Sequence, residues 1–573
     1  MASFRRLVIG SAVVALALTG CATKTADGGT LNFLTEDQQF AHLDPQRNYV
    51  ANDIAFAATY LQRTLTMYRP SGGAAGTELI PDLATDLGTP SADAKSWSFT
   101  LRDGAKFEDG SAITCADVKY GVSRTFATDV VSGGPDYAIR LLDIPLAIDG
   151  ASAYRGPYKN VNNDTAAFDK AVACSADDKT ITFNLKKPAS DFNHTVSMLA
   201  FSPVPAELDT RDQYDLDPVS SGPYVVSDYT PGSRLVLDRN ENWSSSTDSV
   251  RRALPGQIVV TFAQAYQTME DAVIEDGDAG KTAVMLDPVA AAGTSIIFNL
   301  QRTANRRVSA EDPFVSYTAF NVSKLPCLKV RQAIFYALDR KAIAELTGPE
   351  EYVGGYADGL LKPTLFPDVY APVKGYEDAK PQGNPEKAAQ LLAEAKSACP
   401  AVYQRVTKTG IVFDTTNLPI HQAGLAIWIA SMAKVGIKLT GNLIDKNQYY
   451  GVVFDSSAQG DLSRAGWAPD WMSPSTVIPD IAGGGTFNLL RNEKDGAYAS
   501  FAATIAKAQA ETDATKRNKL WRAANQTVMD NMWVLPGVFS KSQFIWGSGV
   551  GGVDIWTPYG CPNFNDIYVT SAA

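Results

Sequence analysis

In the stretch SRAGWAPDWMSPS, one cation, one anion and two indoles fall within eight residues: Arg464, Trp467, Asp470 and Trp471. That set makes and breaks no bonds by itself. A guanidinium and a carboxylate beside large aromatic faces recognise charge, most strongly where water is excluded. Pro469 and Pro474 mark the stretch as loop, and no run in it has the period of a helix or a strand. A loop of this make-up either plugs a core or lines a ligand site, and the residues alone favour neither.

Residues suited to covalent chemistry are scarce. The chain has only His42, His194 and His421, each isolated, and neither HExxH nor GxSxG occurs in it. A GxGxxG string at Gly547, Gly549 and Gly552 is followed by Pro558 and scattered aromatics. With no helix there to receive a pyrophosphate, it reads as a glycine-rich loop. Carboxylates are plentiful, but nothing marks two of them as an acid and base pair. The six cysteines include no CxxC, so a zinc ribbon and a thioredoxin-like motif are both unsupported. The expectation is a protein with no catalytic residue, metal site or cofactor.

The amino-terminal end has the three parts of a secretory signal over residues 1–20: Arg5 and Arg6, an apolar run over 7–18, and small residues before a break. That run is short for a bilayer span, which needs about 20 residues. It ends in LTGC, which resembles the bacterial lipobox, where the signal is cut before the cysteine and that cysteine is acylated. Cys21 is therefore the expected lipid anchor. Residues 21–30 then form a small, polar tether reaching at most about 30 Å. The remaining chain has no run able to span a membrane and is expected outside the cytoplasm as two or three domains. The full sequence's formal net charge of −11, with no basic cluster, argues against nucleic acid as a partner.

Alternation at Trp97, Phe99 and Leu101 predicts a strand, followed by turns at Asp103-Gly104 and Asp109-Gly110 with a short strand between them. Thr114 then opens a helix with Asp117 in its first turn. TITFNLKKP and RLVLDRNENW alternate likewise, with Ile181, Phe183 and Leu185 on one face of the first and Leu235 and Leu237 on one face of the second. From Lys329 the period becomes helical: Val330, Ala333, Ile334, Ala337, Leu338 and Leu346, with Gly348-Pro349 as the stop. PEKAAQLLAEAKSA and residues 498–532 also read as helix. The class is mixed α and β.

Four stretches together resemble one family, the extracytoplasmic solute-binding proteins of peptide and nickel ABC importers (bacterial family 5). LIPDLATDLGTPSADAKSWSFTLRDGAKFEDGSAITCADVKYGVSR is similar to its first signature. SSGPYVVSDYTPGSRLVLDRNENW is similar to its glycine-proline-tyrosine turn, strand and asparagine-tryptophan end. FNVSKLPCLKVRQAIFYALDRKAI is similar to its later helix signature. The opening stretch is the fourth, and RAGWAPDW resembles the oligopeptide-binding branch.

The resemblance implies an α/β, two-lobed periplasmic-binding-protein-like fold with a hinge and an extra domain inserted in the first lobe. Lobe one would take 31–60, 215–312 and 535–573, the insertion 61–214, and lobe two 313–534. It implies a monomer that captures peptides and delivers them to membrane permease subunits driven by cytoplasmic ATPases. Asp470 would then pair with the peptide ammonium, with Trp467, Arg464 and Trp471 lining the pocket. Trp471 stands where that branch has tyrosine, Pro469 where a freer residue is usual, and Cys115 where alanine is common. Because Cys115 and Cys174 fall in one implied domain and Cys327 and Cys399 in another, those two disulfides are expected, with Cys561 free. The same fold could instead bind a nickel chelate, haem or a sugar. From a different class, a secreted hydrolase is the alternative.

Overall fold

The computed structural model describes residues 28–485 and 488–570. The expected signal, Cys21 and most of the tether lie outside the described residues. Alternation builds the first sheet. Leu31, Phe33, Leu235, Leu237, Ile258 and Val260 are all buried, because every second residue of a strand turns to the same face. The strand order is Ala283–Met285, Thr30–Leu34, Gln257–Thr261, Arg234–Arg239, Tyr224–Thr230, with Thr30–Leu34 parallel to both neighbours. Helix Ala51–Tyr60 covers one face, where Phe56 meets Phe33 edge to face with ring centres 6.0 Å apart. On the other face Met269 and Val273 of helix Tyr266–Glu275 pack on Ala283 and Met285.

A second body interrupts this one. Its antiparallel sheet runs Thr89–Pro90, Ser96–Thr100, Thr180–Asn184, Val172–Cys174. The short strand expected between the two Asp-Gly turns is only a single bridge, Lys106 to Ala112, since so few residues separate the turns. Helix Cys115–Arg124 starts with a capping box in which the Thr114 N–H donates to Asp117 Oδ2 at 2.8 Å. A disulfide joins Cys115, the helix's first residue, to Cys174 on the edge strand. Buried ion pairs bind this body to the first lobe. Arg124 grips both Asp44 oxygens at 2.8 and 2.7 Å. Asp82 lies between Arg63 at 2.9 Å and Arg251 at 2.8 Å, and Arg251 and Trp243 both donate to Asp248. Such charges are tolerable inside a protein only because each is paired.

The second lobe is built on a sheet ordered Leu439–Ile444, Ile411–Thr416, Leu462–Trp467, Arg307–Phe320, Val534–Ile545. Leu462–Trp467 corrects the sequence reading, which saw no strand there. Ala465 and Gly466 are poor strand formers, but pairing with residues 315–320 on one side and with Phe413 and Asp414 on the other overrides propensity. Two continuous helical readings each resolve into a pair: Leu328–Ala337 with Arg340–Glu345, and Tyr498–Ala510 with Ala514–Asp530. Each break is an aspartate cap. Asp339 accepts from the Ala342 N–H at 3.0 Å and Asp513 from the Lys516 N–H at 2.9 Å. A disulfide joins Cys327 to Cys399, tying the start of Leu328–Ala337 to the end of Pro385–Ala398, while Cys561 is free and buried.

Two long antiparallel strands, Arg307–Phe320 and Val534–Ile545, cross from one lobe to the other. They pair from Arg307 with Ile545 to Ala319 with Val534, and the next residue, Trp546, bridges Val284 of the first sheet. Their register breaks twice, between Glu311 and Val315 and between Val315 and Tyr317. The expected boundaries at 312/313 and 534/535 fall inside these crossing strands. The result is a two-lobed α/β fold. Among the described residues no helix is long and apolar enough to cross a membrane.

Candidate functional site

Asp470 follows the strand Leu462–Trp467 by three residues and meets groups from both other bodies. Tyr49 of the first lobe donates its hydroxyl to Asp470 Oδ2 at 2.9 Å, and Tyr137 of the insertion donates to the same oxygen. Burial pushes the Asp470 carboxyl above the usual carboxylate range, against the pull of both hydroxyls and of Arg140. Arg140 stacks over the Tyr137 ring, 4.3 Å from its centre, and pairs with Asp136 at 2.8 Å. Asp480 lies in the same surroundings, and burial holds its carboxyl up at about 6. The place where three bodies meet is therefore acidic and partly enclosed, with Tyr49 still 39% exposed. A carboxylate with lone pairs to spare in such a place suits a cationic group.

Along the strand towards its start lies Arg464, paired with Thr318 on the neighbouring strand. Its side chain lines a cavity of about 500 Å³ between the lobes, walled by Phe413, Ile420, Leu425 and Trp428 of the second lobe and by Pro288 and Val289 of the first. Among the described residues no carboxylate pairs with this guanidinium. The residue keeps solvent contact, and partial desolvation in the cavity lowers its pKa. His421 shares the cavity, with Nδ1 2.6 Å from Thr416 Oγ1, and burial together with the Arg464 charge pushes its pKa down to about 4. The cavity thus holds a neutral imidazole, two cations that donate to backbone carbonyls, Arg340 and Lys541, and the unpaired Arg464. An anionic group would satisfy that guanidinium.

The description "Bacterial extracellular solute-binding proteins, family 5 Middle" matches residues 78–488. The chain belongs to this family. It is 25% identical over 485 residues to the periplasmic oligopeptide-binding protein OppA of Escherichia coli, covering 80% of this chain and 79% of that one. The oligopeptide-binding protein OppA of Bacillus subtilis is 22% identical over 503 residues, covering 84% and 82%. Among solved structures, the clavulanic acid biosynthesis oligopeptide binding protein 2 superposes with a TM-score of 0.82 at 27% identity, covering 96% of each chain. The unliganded open form of the murein tripeptide binding protein MppA superposes with a TM-score of 0.70 at 18% identity, covering 95% of this chain and 98% of that one. These relatives are binding proteins by name, and several are periplasmic.

In this family 5 chain the four residues singled out from sequence do not share one pocket. Arg464 lines the cavity and Asp470 the three-body junction. Trp467 is half-buried on the strand's other side, packed with Val315 and Phe539, and its Nε1 donates to the Thr476 carbonyl at 2.7 Å. Trp471 is buried, with its ring against Tyr137 at 4.6 Å and its Nε1 donating to Asp191 Oδ2 at 3.3 Å. It belongs to the contact between lobes. Tyr49, Tyr137, His421 and the cavity's apolar wall escaped the sequence reading. Tyr49 and Tyr137 lie hundreds of residues from Asp470, and His421 had no neighbour in sequence to mark it.

Proposed function

We propose that this protein is the substrate-binding component of an ABC importer and captures short peptides between its lobes. One observation carries the reading. A carboxylate and an unpaired guanidinium, Asp470 and Arg464, lie on one strand and the loop that follows it, both facing the gap between the lobes. Opposite charges at the two ends of one site suit the ammonium and carboxylate of a peptide. The six chain steps between them span at most about 20 Å, which limits a ligand held at both ends to about six extended residues. Most of the relatives' names favour peptide, while Heme-binding protein A of Haemophilus influenzae, 25% identical over 485 residues, keeps haem as the second reading. Among the described residues the only cluster of metal-ligating type is Cys115, Cys174 and Asp178, and its cysteines form a disulfide.

The same reading divides the chain into lobe one, the insertion and lobe two near the bounds expected from sequence, with the crossing strands as hinge. Cys21 would be the lipid anchor that keeps the carrier beside its permease on the outer face of the cell membrane. Cys21→Ser should abolish palmitate labelling, and normal labelling of that variant counts against the anchor. The peptide reading is tested by native mass spectrometry of the protein as isolated, followed by calorimetric titration with short peptides. Retained peptide masses and saturable binding are expected. A protein that retains none and binds none is not a peptide carrier.

A further inference from the structure

The cavity beside Arg464 is larger than charge recognition needs. Strand register explains its wall: Phe413, Thr415, Arg464 and Gly466 share one face of the second sheet, with Thr318 opposite Arg464. Helix Pro419–Ala433 covers that face with Ile420, Gly424, Leu425 and Trp428, a spacing that puts all four on one side of a helix. Phe413 and Trp428 meet with ring centres 4.8 Å apart. Apart from Arg464 and His421, the wall from this helix and the two strands Ile411–Thr416 and Leu462–Trp467 is mostly hydrocarbon, and the strand Val534–Ile545 adds the polar Lys541 and Gln543.

Gly424 has no backbone or packing reason to be glycine. It sits inside a 15-residue helix, where glycine is disfavoured relative to alanine. A Cβ added there would touch only Leu346 Cδ1, at an ordinary 3.8 Å. Nearby Gly441 differs, because a Cβ there would lie 2.1 Å from Leu425 Cδ2. What Gly424 provides is unfilled volume in the cavity.

We propose that this cavity is the subsite for a bulky apolar side chain at the carboxyl-terminal end of the ligand, with Gly424 setting its size. The inference rests on the peptide reading, with the ligand's terminal carboxylate on Arg464. Arg464 balances the terminal carboxylate, and neutral His421 adds no charge. A terminal phenylalanine side chain lying on the apolar wall removes far more hydrocarbon surface from water than an alanine methyl does.

The probes are alanine tripeptides to pentapeptides ending in Phe or Ala, titrated into the full mature protein. At the preferred length the wild type is expected to bind the Phe ending at least about 10-fold tighter than Ala. Gly424→Leu fills the space and should erase the Phe preference. Gly424→Ala, a smaller step, should keep most of the preference and melt no lower than wild type. Equal binding of Phe and Ala endings by wild type overturns the subsite, as does a Phe preference that survives in folded Gly424→Leu. Either result leaves the peptide reading standing. If wild type binds none of the probes, the peptide reading falls and the subsite with it.

Discussion

Asp470 is held by two tyrosine hydroxyls in the absence of ligand, and burial raises its pKa above the ordinary 3.8. A bound ammonium favours the charged carboxylate, so binding expels any proton it carries. Affinity is therefore full above the raised pKa and falls as pH drops through it, by up to about tenfold per unit. Asp470→Asn should bind about 2–5 kcal/mol more weakly at neutral pH and lose that pH dependence. N-acetylated peptide should bind wild type poorly and barely distinguish the two proteins. Without ligand the sign reverses. A carboxyl whose pKa rises on folding loses stability as pH climbs through it, so the variant should melt no lower than wild type at pH 7. Calorimetry on both sides of the raised pKa checks both signs, and equal affinity for free and acetylated peptide removes Asp470 from the ammonium site. The residue types of the charged pair were legible because Arg464 and Asp470 sit six apart in one motif. Their partners were not, since Tyr49 and Tyr137 come from other bodies and carry no local pattern.

At the scale of elements, the strands with a buried face on one side were legible from their period of two, as in Trp97 and Phe99 or Leu235 and Leu237. The hinge was not, because its register breaks depend on pairing between strands far apart in the chain. Lys362 fills the wider break. Its buried ammonium donates to the Asp312 carbonyl at 2.6 Å and the Ser540 carbonyl at 2.7 Å, one on each crossing strand. Asp312 in turn accepts from the Ser540 hydroxyl at 2.5 Å and the Ser542 hydroxyl at 3.1 Å. A ladder broken by a bulge leaves carbonyls without N–H partners, and the lysine supplies the missing donors. Burial lowers the pKa of Lys362, with Asp312 and Glu311 opposing that shift. Lys362→Met keeps the stem and deletes the donor, leaving two buried carbonyls unsatisfied at about 1–3 kcal/mol each. The expected result is a matching loss in urea unfolding. Wild-type stability in this variant would mean that water or the backbone satisfies those carbonyls equally well.

For the whole molecule, the question is what keeps the lobes together before ligand arrives. Beyond the hinge, the loop after Leu462–Trp467 reaches across to the first lobe and the insertion. Asp470 meets Tyr49 and Tyr137, the Trp471 indole meets Asp191 and the Tyr137 ring, and the Met472 N–H donates to the Tyr68 hydroxyl at 2.8 Å. That hydroxyl is also 2.8 Å from His194 Nδ1, and burial of this imidazole pushes its pKa down to about 4, so it stays neutral and able to accept at pH 7. Trp471 and Met472 are the large apolar side chains of this loop that are buried. Closure of such a hinge is a population, set by the free energy of contacts made only when closed. An indole moved from water into a packed site contributes about 2 kcal/mol, enough to shift a two-state balance about 30-fold. Trp471→Ala should therefore open the unliganded protein, seen as a larger radius of gyration in small-angle scattering, while saturating peptide draws it back to the wild-type value. Peptide affinity should fall with the closed fraction, although Trp471 lines neither the cavity nor the ammonium site. Identical scattering from the two unliganded proteins would mean that the crossing strands alone set the angle between the lobes and that the loop merely rests against its neighbours.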